Sequence, residues 1–231
     1  MVYDNYGRPT LNFRITVTQK CNLRCPYCHK EGEVGNVTTE MSLGEILQIS
    51  RIAVDLGIDR VKLTGGEPLI RPDFLGIVEG ISRIQGVKDL SLTTNGALLA
   101  PVAENLRVSG LDRVNVSIPT LVPDNYRSLT GGSLTDAVNG IKAAVRAGLY
   151  PVKLNMPVLK GINDGEIFEM INFSRYNGVV LQLIELEPLG IDPSFYSSHH
   201  YSLDRVEERL ERQALEVRTR SDMQSRRVYF L

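Results

Sequence analysis

The 231 residues carry a formal net charge of −1, with 42% apolar and 23% charged residues, an ordinary balance for one large domain or two small ones. Near-neutrality excludes a whole-chain field that would recruit nucleic acid or an anionic membrane, so an anionic ligand needs a local group of basic side chains. No run approaches the ~18 apolar residues of a membrane span, and Met1-Val2-Tyr3-Asp4 lacks the basic-then-apolar pattern of a signal peptide, so the expected location is cytoplasmic.

In chain order, Phe13–Thr18 alternates apolar and polar residues and predicts a strand. Ser42-Leu43-Gly44-Glu45 has the form of a capping box and opens a helix with Ile46, Ile49, Ala53 and Leu56 at helical spacing, stopped by Gly57. Arg60–Thr64 predicts a second strand, and a helix follows from Pro72 to about Gly86. The alternation continues with a strand at Asp89–Thr93, a helix over 98–109, a strand at Arg113–Ser117 and a helix over Leu134–Ala147. A strand at Val152–Met156, a helix over 164–176 and a strand at Val179–Leu186 complete the repeat. Strand–helix alternation of this kind predicts an α/β fold with parallel strands and right-handed crossovers. The number of units falls short of the eight of a closed barrel, so the expectation is a partial (β/α)6 TIM-like barrel over residues 1–190, with its site at the C-terminal strand ends. Residues 191–231 are expected as a short extension: an amphipathic helix near 202–215, a basic tail from Arg218 to Arg227, and the apolar end Val228–Leu231.

All three cysteines of the chain fall in Cys21-x-x-x-Cys25-x-x-Cys28, directly after the first strand. An odd, clustered set in a reducing compartment points to a metal or redox site rather than a disulfide framework. Three thiolates can hold an iron–sulfur cubane that ordinarily takes four, leaving one iron open to chelate an outside molecule. By themselves the cysteines also allow a glutaredoxin-like dithiol at Cys25-Pro26-Tyr27-Cys28, haem attachment through Cys25-x-x-Cys28-His29, zinc bound by Cys21, Cys25, Cys28 and His29, or unligated thiols.

The spacing of the cysteines, with an aromatic residue before the last, resembles the signature of the radical S-adenosylmethionine (SAM) superfamily. Gly65-Gly66-Glu67-Pro68, at the end of the second strand, resembles that superfamily's motif for the SAM amine. The resemblance implies a 4Fe–4S cluster held by Cys21, Cys25 and Cys28, with SAM chelated at the open iron. An external electron donor of flavodoxin or ferredoxin type would drive reductive cleavage of SAM to methionine and a 5'-deoxyadenosyl radical. The backbone of Gly65, Gly66 and Pro68 and the Glu67 carboxylate would accept hydrogen bonds from the SAM ammonium.

A closer similarity is carried by Asn12–Thr18, Lys62–Arg71, Thr93-Thr94-Asn95-Gly96, Asn115-Val116-Ser117, Lys153-Leu154-Asn155 and Lys160–Asp164, which lie in the order found in the GTP 3',8-cyclases of molybdenum cofactor biosynthesis. Asp4-x-x-Gly7-Arg8 and Cys28-His29-Lys30-Glu31-Gly32 resemble archaeal-type members. By this resemblance Tyr27 and Met156 would lie at the adenine of SAM, Thr94 and Ser117 at its methionine part and Asn155 at its ribose, with Asn95 also among the cofactor-binding residues. Arg14, Arg60, Lys62 and Lys153 would hold the triphosphate of GTP, for which converging cations are physically apt. Two departures stand out. Where the family has Asp after Val-Ser-Leu, this chain reads Ser117-Ile118-Pro119. The cyclases also carry a second cluster on three further cysteines, whereas no cysteine follows Cys28 here, and Ser225–Tyr229 resembles the segment that precedes that region. A truncated cyclase and a relative acting on another nucleotide or a peptide are both compatible with this pattern.

Overall fold

A computed structural model of the chain describes residues 2–30, 39–220 and 226–231. Six strands form one parallel sheet in sequential order: β1 (Asn12–Thr16), β2 (Arg60–Thr64), β3 (Asp89–Thr94), β4 (Arg113–Ser117), β5 (Val152–Val158) and β6 (Val180–Glu185). The helices between them are α1 (Leu43–Asp55), α2 (Phe74–Ser82), α3 (Ala103–Val108), α4 (Pro123–Thr130), α5 (Leu134–Arg146) and α6 (Ile167–Asn177). This is the partial TIM-like barrel that the alternation predicts.

Side chains alternate across each strand. Ile15, Val61, Leu63, Leu90, Leu92, Val114, Val116, Leu154 and Met156 share one face and pack with Ile46, Ile77, Ile81 and Ile141 of the helices in a single apolar core. The opposite, concave face therefore presents Arg14, Lys62, Arg113, Asn115, Ser117, Lys153 and Asn155. The α1 capping box forms as expected: Ser42 Oγ accepts from the Glu45 amide (3.3 Å) and Glu45 Oε2 accepts from the Ser42 amide (2.8 Å).

Several elements differ from the sequence expectation. The α3 helix spans only 103–108, because Pro101 lacks an amide donor and disfavours helix at the residue before it, leaving turns upstream. The α4 helix was not anticipated, although Pro123 stands in its first turn and Gly131 closes it with φ of 75°. The basic tail contributes to a strand pair. After α7 (Pro193–His199) and α8 (Asp204–Gln213), β7 (Glu216–Arg220) and β8 (Arg226–Phe230) pair as an antiparallel hairpin. Val206, Leu210 and Tyr229 join the main core, and Arg227 bonds Glu207 (2.9 Å) and Glu211, which fastens β8 to α8. Glu31, Gly32 and Ser225 of the quoted motifs lie outside the described residues. No helix of the described residues is long and apolar enough to cross a membrane.

Candidate active site

The cysteine loop leaves the C-terminal end of β1 and is pinned on four sides. Beneath it, the amides of Gly66 and Glu67 donate to the carbonyls of Thr18 and Lys20, each at 2.8 Å. The two strand ends lie so close that a Cβ on Gly65 would stand 2.3 Å from Thr18 O, and one on Gly66 2.2 Å from Lys20 O. The close approach that these glycines permit is thus to the cysteine loop itself. From the α2 side, Arg71, 8% exposed, donates to Val17 O (2.6 Å) and Met41 O (2.7 Å) while Asp73 grips its guanidinium (2.6 Å). From β3, Asn95 Nδ2 donates to Asn22 Oδ1 (2.8 Å). From α4, Thr130 O accepts from the Arg24 amide (2.9 Å), and the Leu23 side chain fills the space over Gly132.

Cys21 and Cys28 are exposed and Cys25 is half-buried. Burial, and then the nearby thiols of Cys28 and Cys21, push the Cys25 thiol up to about 11, opposed by its hydrogen bond with Tyr27. Burial foremost raises Cys21, with Glu67 and Cys28 adding to the rise, while the Leu23 amide at 3.4 Å and the Asn95 side chain oppose it. Three thiols held on one braced loop are a donor set that a positively charged centre would favour as thiolates. Among the described residues no group of three or more His, Cys, Asp or Glu side chains stands close enough together to hold a single metal ion.

Several expected SAM contacts are placed differently. Glu67 is fully buried, and its carboxylate accepts from the Leu69 amide (3.0 Å), the Thr94 hydroxyl (2.8 Å) and the Asn95 amide (2.7 Å). It ties the ends of β2 and β3 together, and burial raises its pKa despite those donors. The Thr94 hydroxyl is spent on Glu67 and on the Gly96 amide (3.0 Å), so it braces the site rather than facing the methionine of SAM. Met156, expected at the adenine, lies with no exposed surface in the helix-facing core, because it alternates with the inward-facing Asn155. Pro68 is buried at the start of a short 3-10 turn, Pro68–Ile70. Tyr27 packs against a second apolar cluster of Leu129, Leu159, Leu186 and Ile191, with its hydroxyl against Cys25.

Ser117 and Asn155 do face the concave side, paired in register. Asn155 Oδ1 is buried and has no protein partner, and a buried acceptor of this kind is costly unless a ligand donor meets it. The donor chemistry of three free thiols suits a 4Fe–4S cluster, and the Asn155 oxygen suits a ligand that donates a hydrogen bond. The Ser117-Ile118-Pro119 turn is stabilised from β5 and α6. The Ile118 amide donates to Asn155 O (3.0 Å), buried Asn163 donates to Pro119 O (2.6 Å), and Glu166 accepts from Thr120 (2.5 Å).

Toward the N-terminal ends of the strands the same face carries a group of cations. Burial foremost, and then the charges of Arg14, Arg113, Arg226 and Lys153, lower Lys62 to about 8. Register puts Arg14, Lys62, Ser91 and Arg113 on one rung. Arg60 shares the face at the first residue of β2 and is not among the charges that depress Lys62 most. Sequence reasoning missed Arg113, held by Asp89 at 2.6 and 2.7 Å, and Arg226, which donates to Gln182 (3.0 Å). Arg113 carries a signal, because it opens its strand as Arg60 opens β2. The placement of Arg226 comes from the hairpin and has none.

Residues 15–174 match the radical SAM superfamily. Among solved structures, SuiB of Streptococcus suis bound to precursor peptide SuiA superposes with a TM-score of 0.73 at 19% identity, covering 88% of this chain and 46% of its own. anSMEcpe with bound AdoMet and Cp18Cys peptide gives 0.67 at 18%, covering 89% and 59%. The chain belongs to the radical SAM superfamily, whose cofactors are a 4Fe–4S cluster and SAM. A probable GTP 3',8-cyclase of Thermococcus kodakarensis is 48% identical over 234 residues, and one of Pyrococcus abyssi 49% over 235, each match covering 100% of this chain and 75% of the relative. The chain is a member of that cyclase family.

Proposed function

We propose that this chain acts on GTP, as the part of a GTP 3',8-cyclase that cleaves SAM and grips the nucleotide triphosphate in molybdenum cofactor biosynthesis. The observation that carries the reading is the convergence of Arg14, Arg113, Lys153 and Arg226 on Lys62, on the concave face that also holds Ser117 and Asn155. A triphosphate carries the charge and the acceptor oxygens that several converging cations can meet. When bound and reduced by a one-electron carrier of flavodoxin or ferredoxin type, the cluster supplies the electron that splits SAM into methionine and a 5'-deoxyadenosyl radical. The protein's part is positional. The cysteine loop orients the cluster, Ser117 and Asn155 hold SAM, and the cations fix the far end of the substrate.

Anaerobic reconstitution tests the reading. The 231-residue chain is expected to become brown with about four irons and to form 5'-deoxyadenosine from SAM and dithionite at a rate that rises with GTP. A rate indifferent to GTP would overturn the substrate, and a colourless protein binding one zinc would overturn the enzyme.

The Lys62 amine gives the grip a pH dependence. With a pKa of about 8 in the free protein, it loses its proton as pH rises through 8, and a neutral amine attracts phosphate poorly. GTP affinity is expected to fall between pH 7 and 9, and binding near pH 8 to take up a proton, because the anion restores the ammonium. Calorimetry in two buffers of different ionisation enthalpy measures the uptake, and equal heats in both would contradict this role.

A further inference from the structure

Asn115 lies at the middle of β4, on the concave face, with 4% of its surface exposed. Its Oδ1 is buried and accepts no hydrogen bond. On either side of it in the same strand, and on the same face, stand Arg113 of the cationic rung and Ser117 of the SAM rung. Each is two residues away, about 6–7 Å along the strand. Across the sheet Asn115 is level with Thr93 and Lys153. A nucleotide with its phosphates among the cations and its reacting carbon near SAM must pass its sugar through this level. A sugar hydroxyl is a donor of the kind a lone amide oxygen lacks.

We propose that Asn115 is a substrate-positioning residue whose amide oxygen accepts a hydrogen bond from a ribose hydroxyl of the substrate nucleotide. The inference rests on the GTP reading and deepens it. It makes the site selective for an intact ribose, because a deoxy sugar leaves the buried oxygen without a partner. The opposite holds without ligand: the orphaned oxygen is a local cost to the free protein, so its removal does not lower stability.

The test is anaerobic binding of GTP, 2'-deoxyGTP and 3'-deoxyGTP to the reconstituted chain, as wild type, Asn115→Ala and Asn115→Ser, with thermal melts of the ligand-free proteins. Wild type is expected to bind GTP about tenfold more tightly than one of the two deoxy analogues, and the analogue affected identifies the hydroxyl. Asn115→Ala is expected to erase that ratio by weakening GTP alone, with a melting temperature no lower than wild type. GTP binding by Asn115→Ala with the wild-type ratio intact would overturn the role of Asn115 and leave the GTP reading standing. Failure of the wild type to bind GTP would overturn both. A variant that melts early and weakens all three nucleotides equally would show Asn115 to be structural, and so overturn the proposal.

Discussion

Gly66→Ala is expected to abolish cluster assembly. The new Cβ would meet Lys20 O at 2.2 Å, Lys20 C at 2.6 Å and Gln19 O at 2.7 Å, all backbone atoms of the loop that leads into Cys21. A flexible side chain could swing aside, but these atoms belong to a segment tied by Glu67 N to Lys20 O (2.8 Å) and by Arg71 to Val17 O (2.6 Å). Relieving the overlap to an ordinary contact of 3.4 Å needs a shift of more than 1 Å at the root of the cysteine loop. A ligand set that must meet a rigid cubane from three points of one loop does not survive such a shift. Iron content and visible absorbance after reconstitution measure it. Gly165→Ala, where a Cβ meets nothing within 4 Å, is the control expected to load normally. A brown, fully loaded Gly66→Ala protein would show that the loop is not braced through this contact.

Lys62→Met is expected to separate stability from binding. In the free protein Lys62 is lowered to about 8, first by burial and then by its cationic neighbours. The unfolded chain therefore binds more protons between about pH 8 and the ordinary lysine range, and the ligand-free fold gains stability as pH rises through that window. Methionine keeps the apolar stem and removes the buried charge, so the variant is expected to melt at or above the wild-type temperature at neutral pH. The same change withdraws a charge-assisted contact from the triphosphate, worth about 1.5–3 kcal/mol, or roughly ten- to a hundredfold in affinity. Calorimetric titration with GTP and a thermal melt of one preparation decide both halves. Unchanged GTP affinity would remove Lys62 from the substrate site, and with it the centre of the cationic group.

The order of the elements was legible because α/β alternation writes its two periods directly into the chain. The capping box at Ser42 and the strand at Phe13–Thr18 follow from local chemistry. The cysteine spacing and Gly65-Gly66-Glu67-Pro68 marked the chemistry for the same reason, since the residues that act together are close in sequence. Arg14, Lys62 and Lys153 were legible as cations carried on strands. The roles assigned to Glu67, Thr94 and Met156 were not. Whether a carboxylate or hydroxyl faces a ligand or a neighbouring loop depends on what folds against it, and strand parity alone sends Met156 to the core once Asn155 points inward.

By itself the sequence determined the parallel sheet and the clustering of the three cysteines after β1, because each depends on residues within one or two elements of each other. The tertiary structure alone decided that Arg113 and Arg226, 113 residues apart in the chain, act on the same Lys62. It also decided that the two motif glycines serve the cysteine loop and that Asn115 is left with an unanswered oxygen. These are properties of distance and burial, which arise only when strands from separate parts of the chain are laid side by side and closed off from water.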